Sequence, residues 1–117
     1  MQGGSASDTS HDAAGLCRLT GAVVVRINFR VGALGFLWLG DRCGDGADVP
    51  GNPGQLDAQL ALQWVRQHIA AFGGDPDRVT LFGLSSGAFM AAALLAMPSA
   101  RACVAGAWMK SARPRAS

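Results

Sequence analysis

The stretch "TLFGLSSGAF", residues 80–89, contains the residue best suited to nucleophilic chemistry, Ser85, in the pattern G-x-S-x-G. In a nucleophile elbow a strand turns sharply into a helix and presents the serine hydroxyl. Small residues two positions before and after the serine let this turn close, a role that falls to Gly83 and Gly87. The backbone N–H of Ser86 is then available to hold a developing oxyanion. A glycine-rich turn in which Ser85 or Ser86 only caps the helix is the alternative.

The elements on either side of Ser85 agree with an elbow. "RVTLFG" is a short apolar run that predicts a strand, and the Ala- and Leu-rich segment from Ser86 to Met97 predicts a helix that ends at Pro98. The serine is therefore predicted at a strand-to-helix turn, which is the setting that the motif requires.

The rest of the chain alternates in the same way. A β-branched run, Val23 to Ile27, predicts a strand at 23–28 that is buried on both faces of a parallel sheet. A helix is predicted from the apolar stripe Leu56, Leu60, Trp64, Val65, Ile69 and Phe72, with glycines at 73 and 74 as its stop. "VAGAWMKS" predicts a further strand. We therefore expect an α/β fold with about three mostly parallel strands, two main helices and an incomplete sheet.

Length and composition limit the other possibilities. The 117 residues fit one domain, with a loop-rich start at 1–20, a core at 21–112 and a tail at 113–117. The residues are 50% hydrophobic, which suggests that part of the surface is covered by a partner or by more chain. A net charge of +2, with the basic residues spread along the chain, predicts no nucleic-acid binding. The three cysteines (Cys17, Cys43 and Cys103) form an odd set without C-x-x-C spacing or a nearby His, so neither a zinc site nor a closed disulfide framework is expected. No membrane span or signal peptide is visible, and oligomeric state and localisation stay open.

Three stretches carry a specific resemblance: "VVVRINFRVGALGFLWLG", "PGNPGQLDAQLALQWVRQHIAAFGGDPDRVTLFGLSSGA" and "MPSARACVAGAWMKSA". In order and spacing they resemble the central block of the type-B carboxylesterase and cholinesterase-like family of α/β hydrolases, over about residues 4–112. The resemblance implies that Ser85 is the acylated nucleophile and that Ser86 supplies an oxyanion amide. It also implies framework positions rather than chemistry for a further set of residues: Asn52, Asp57, Trp64, Phe72, Gly73, Gly74, Asp75 and Pro76.

The sequence departs from the family pattern at the site itself. Leu84 stands where the family usually has Glu, Ser86 replaces a usual Ala, and Ala112 replaces a usual Gly. The resemblance further implies that the oxyanion glycines and one strand of the sheet precede Met1. Without that strand, the strands at 23–28 and 79–83 either pair directly or leave unpaired backbone groups.

A serine nucleophile needs a general base, and α/β hydrolases place the acid and the histidine after the serine in the chain. No Asp, Glu or His follows Ser85. His68 is expected in a structural or solvent-facing role and His11 at the surface, although a pairing of Asp, His and Ser outside the family pattern stays open.

The sequence thus predicts a carboxylic ester hydrolase by resemblance, without a cofactor, whose isolated chain is inactive or nearly so. A noncatalytic cholinesterase-like scaffold and a truncated remnant are the alternatives.

Overall fold

The computed structural model describes residues 13–36 and 52–110. Within this part of the chain the elements follow one another as α1 (Ala13–Thr20), α2 (Gly32–Phe36), α3 (Pro53–His68), a 3₁₀ turn (Ile69–Phe72), β1 (Thr80–Leu84), α4 (Ser86–Ala96), α5 (Pro98–Arg101) and β2 (Gly106–Lys110). The chain divides into two compact units at the bond between Ala61 and Leu62, inside α3. None of the described helices is both long and apolar enough to cross a bilayer. The positions His11, Cys43 and Ala112 lie outside the described residues.

The α/β class is confirmed, and the described part of the sheet is the parallel pair β1–β2. In register, Phe82 lies opposite Trp108, and Leu84 lies opposite Lys110. The predicted strands around "RVTLFG" and "VAGAWMKS" are both present. The helix between them, α4, ends at Ala96 because Met97 adopts an extended conformation (φ −90°, ψ 118°) ahead of Pro98.

The predicted strand at 23–28 is wrong for the described structure, in which residues 21–31 form neither helix nor strand. A strand is defined by the ladder that satisfies its N–H and C=O groups, and no described residue forms a ladder with this segment. β-branched composition alone therefore does not make a strand. The helix α1 was also not expected, because the start of the chain reads as loop, although Ala13 and Ala14 favour helix.

In the amino-terminal unit, residues up to Ala61, Arg30 holds the chain to the first turns of α3. Its backbone N–H and its Nε both donate to one oxygen of Asp57 at 2.9 Å, and its guanidinium donates to the other oxygen at 2.8 Å. A Cβ at Gly35 or at Gly54 would overlap the Arg30 carbonyl oxygen. Two glycines and one carboxylate thus allow the backbone of Arg30 to approach two helices closely.

The ion pair changes the titration of both partners. The Arg30 hydrogen bonds lower the pKa of Asp57 below its usual value, and Asp57 in turn raises the pKa of Arg30. Asp57 was expected to be a framework position, while Arg30 was not singled out from the sequence. The sequence holds two arginines here, Arg26 inside the β-branched run and Arg30 three residues after it, and nothing in the pattern alone marks Arg30 as the partner of Asp57.

In the carboxy-terminal unit, from Leu62 onward, the predicted helix stop is confirmed. Gly73 adopts a left-handed conformation (φ 85°), and its N–H and that of Gly74 donate to the carbonyls of Ala70 and Ile69. Asp75 then forms a turn by accepting a hydrogen bond from the Asp77 N–H at 2.9 Å. This turn leads directly into β1.

Large apolar side chains are exposed in both units. Among the described residues, half of the buried apolar side chains are alanines, and the larger ones are Leu62, Ile69, Met90 and Leu94. Of the stripe predicted on α3, Ile69 is buried, while Leu60 is 66% exposed and Trp64 44% exposed. Large apolar groups normally fill the interior of a domain. Their exposure here fits the expectation, drawn from composition, that this surface is covered by a partner or by more chain.

Candidate active site

Ser85 lies at the turn from β1 into α4, and it is the one described residue other than glycine with a positive φ (φ 54°, ψ −114°). A side chain at Cβ makes this region of backbone conformation costly, by about 1–3 kcal/mol. A helix N-cap residue ordinarily has an extended backbone and accepts a hydrogen bond from the first turn through its side chain. The Ser85 side chain makes no such bond. Its geometry therefore differs from that of a capping serine.

The backbone of Ser85 is held on both sides. Its N–H donates to the carbonyl of Lys110 at 2.8 Å, so that the parallel ladder continues into the elbow residue itself. Its carbonyl accepts from the N–H groups of Ala88 and Phe89 at 3.0 and 3.2 Å. These three hydrogen bonds fix the positive φ, because relaxing it would break the ladder bond or the first turn of α4.

The two elbow glycines stand in different surroundings. A Cβ at Gly83 would overlap the backbone carbonyl of Gly87 and lie 2.8 Å from the backbone nitrogen of Ala88. A Cβ at Gly87 would meet no atom within 4 Å. The expectation that both positions must be small thus has a steric basis at Gly83, where the strand packs on α4. Gly87 has room for a Cβ of its own, and it is the backbone carbonyl of Gly87 that lies close to Gly83.

Ser86 begins α4, an 11-residue helix. The amides of a first helical turn have no partner within the helix, and they lie at the positive end of the helix dipole. The Ser86 N–H is such an amide, and it directly follows Ser85 in the chain. Ser85 and Ser86 are both exposed.

The other candidate groups lie elsewhere. His68 is exposed and stacks on Trp64, with ring centroids 5.1 Å apart, and Trp64 also contacts the Phe72 ring at 6.0 Å. The Cys103 thiol donates to the Ser99 carbonyl at 3.6 Å. In the two described segments, 13–36 and 52–110, no three His, Cys, Asp or Glu side chains come together as metal ligands.

The pairing of Leu84 with Lys110 beside the serine is not predicted from the sequence. They occupy opposite positions at the last pair of the β1–β2 ladder, immediately before Ser85. Because partners in a parallel ladder project to the same face, the Leu84 and Lys110 side chains leave the sheet on the same side. The sequence placed Leu84 next to the serine, but the pairing with Lys110 depends on strand register.

Comparison with known proteins identifies the family. The model of the carboxylesterase family matches residues 1–116. The chain is 44% identical over 108 residues to acetylcholinesterase 4 of Caenorhabditis briggsae, with 92% of this chain and 17% of that protein covered. It is 44% identical over 112 residues to the para-nitrobenzyl esterase of Bacillus subtilis, with 96% and 22% covered.

Solved structures agree with the sequences. A thermophilic PNB esterase superposes with a TM-score of 0.81 at 42% identity, over 89% of this chain and 21% of that one. The chain thus spans less than a quarter of the length of these three proteins. The match to the family model nevertheless extends along nearly the whole sequence, and the chain belongs to the carboxylesterase family.

Proposed function

We propose that Ser85 is the nucleophile of a carboxylic ester hydrolase. One observation carries the proposal: in a chain of the carboxylesterase family, the serine of G-x-S-x-G has a backbone φ of 54° at a strand-to-helix turn. Strain of this kind persists where surrounding structure imposes it, and it is common at reacting residues. The exposure of the Ser85 residue and its lack of a capping hydrogen bond support the same assignment.

The reaction proceeds by acyl transfer. Ser85 Oγ attacks the ester carbonyl carbon, and its proton passes to a general base and then to the departing alcohol as the C–O bond breaks. The Ser86 N–H stabilises the negative charge on the carbonyl oxygen in the transition state. Water then attacks the acyl-serine, which releases the carboxylic acid and restores the hydroxyl. No cofactor enters either step.

The general base is the part that these residues do not supply. No Asp, Glu or His follows Ser85 in the sequence, and His68 stacks on Trp64. We therefore expect negligible turnover of p-nitrophenyl esters by the 117-residue chain alone. A positioned general base contributes typically about 10²–10⁴-fold to the rate, and free buffer replaces only a part of this.

An external base provides the sharpest test. The chain is incubated with a fluorophosphonate probe with and without imidazole, and the labelled peptide is identified by mass spectrometry. Imidazole should accelerate labelling at Ser85. Ser86→Ala should label like the wild type, because the proposed role of Ser86 lies in its backbone, and Ser85→Ala should remove the label.

One result would contradict the proposed role of Ser85, and another would contradict only the expectation of negligible turnover. A chain that is folded by circular dichroism but takes no label at Ser85 with imidazole would favour the noncatalytic scaffold, for which the apolar Leu84 beside the serine also argues. Rapid ester hydrolysis without imidazole that Ser85→Ala abolishes would contradict the expected lack of turnover.

A further inference from the structure

Among the described residues, the charge at the carboxyl end of the β1–β2 ladder has no ion-pair partner. Lys110 is exposed at the last ladder pair, its partner in register is the apolar Leu84, and it forms no ion pair with any residue of the described segments. Its carbonyl oxygen accepts the Ser85 N–H at 2.8 Å, so the ammonium group belongs to the residue that directly adjoins the elbow.

The acidic residues of this unit lie at the other end of the ladder. From Leu62 to the end of the sequence, Asp75 and Asp77 are the only acids, and both precede β1. Asp77 lies 3.5 Å from the Arg66 guanidinium. Because a five-residue strand spans about 16 Å, these carboxylates do not offset a charge at the far end of β1. The sequence from Arg78 to Ser117 contains no Asp or Glu.

We propose that Lys110 is a specificity-determining residue that makes the Ser85 site discriminate esters by charge. Esters with an anionic group in the acyl or alcohol part are favoured, and esters with a cationic group are disfavoured. The inference rests on the proposed role of Ser85. Its physical basis is the Coulomb energy between a charged substrate and an ammonium group that has no ion-pair partner among the described residues; at several ångströms near a surface this energy changes rates by roughly three- to tenfold.

The potential at the elbow can be measured without any reaction. Charged nitroxide cosolutes broaden amide proton signals in proportion to their local concentration, so an anionic and a cationic nitroxide of similar size report the sign of the potential. The Ser86 and Gly87 amides should be broadened more by the anionic nitroxide. Lys110→Gln should reduce the excess, and Lys110→Arg should keep it.

Arg101→Gln is the matched control. It removes the same charge from the same unit, but Arg101 ends α5 ahead of the amino end of β2, at the opposite end of the ladder from Lys110. This variant should leave the broadening ratio at Ser86 and Gly87 unchanged. Equal broadening by the two nitroxides in the wild type, or the same change in both glutamine variants, would overturn the proposal.

Reactivity provides the second measurement. Imidazole-assisted labelling of Ser85 is compared for an anionic and a cationic fluorophosphonate at low salt. The ratio of the two rates should fall roughly three- to tenfold in Lys110→Gln, and 0.5 M salt should remove most of the difference between the variants. A ratio that Lys110→Gln leaves unchanged would overturn charge selection. Absence of labelling by both probes would contradict the role of Ser85, and the selectivity proposal would fall with it, even where the nitroxides report a positive potential.

Discussion

Replacing each elbow glycine with alanine tests the packing of β1 on α4. At Gly83 the new Cβ would overlap the Gly87 carbonyl and lie 2.8 Å from the Ala88 nitrogen, so backbone must move. Forced overpacking costs typically 1–3 kcal/mol, and the atoms here belong to the first turn of α4 and cannot rotate away as a side chain would. We therefore expect Gly83→Ala to lower the free energy of unfolding by about 2 kcal/mol.

Gly87→Ala is the matched comparison. The same methyl group meets no atom within 4 Å, and alanine in a helix is favoured over glycine by roughly 0.5–1 kcal/mol. This variant should be slightly more stable than the wild type. The two variants should thus differ by about 2–3 kcal/mol, which is a factor of roughly 30 to 150 in the unfolding equilibrium constant.

Urea unfolding followed by far-ultraviolet circular dichroism measures this difference as a shift in midpoint at constant slope. The reasoning would be refuted if Gly83→Ala were as stable as the wild type, or if both variants lost the same stability. A loss confined to Gly87→Ala would show that space at the elbow is limited on the helix side instead.

Three further predictions concern other parts of the chain. The pKa of Asp57 is lowered in the folded chain, so its pair with Arg30 should stabilise the fold at pH values above the ordinary carboxyl pKa of about 4, and this stabilisation should disappear as the pH falls through the lower folded pKa. The difference in urea midpoint between wild type and Asp57→Asn should therefore close in acid, and a difference independent of pH would contradict this. Ser85→Gly should raise the free energy of unfolding by about 1 kcal/mol by relieving the positive φ, whereas Ser85→Ala should not, which thermal melts can distinguish. Phe82→Thr with Trp108→Thr should reduce binding of a hydrophobic fluorescent dye, because these side chains are 63% and 59% exposed and stack 4.9 Å apart; unchanged dye binding would place the exposed apolar surface elsewhere.

Local patterns in the sequence were sufficient for the elements around the site. The strand ending at Leu84, the helix starting at Ser86 and the stop at Gly73 each follow from short-range signals: an apolar run, helix formers and a glycine that tolerates a left-handed backbone. Such signals act within a few residues, so one sequence read without relatives is enough to find them.

Features that depend on distant residues were predicted poorly. The run from Val23 to Ile27 has strand composition but no described ladder partner, and composition carries no information about partners. The ion pair between Arg30 and Asp57 joins residues far apart in the chain, and the pairing of Leu84 with Lys110 depends on the register of two strands. The predicted stripe on α3 was correct as a helix period, while the exposure of Trp64 depends on what lies against it.

The hydrogen bond from Ser85 N–H to the Lys110 carbonyl makes the elbow a nonlocal structure. The ten residues that spell the motif are present in any chain that reaches Phe89, but the conformation needs a carbonyl group 25 positions after the serine. During synthesis at about 5–20 residues per second, the growing chain must emerge past Lys110 before the turn can be held. A polypeptide that stops short of this point would retain every letter of G-x-S-x-G and lack the backbone bond that holds its serine in place.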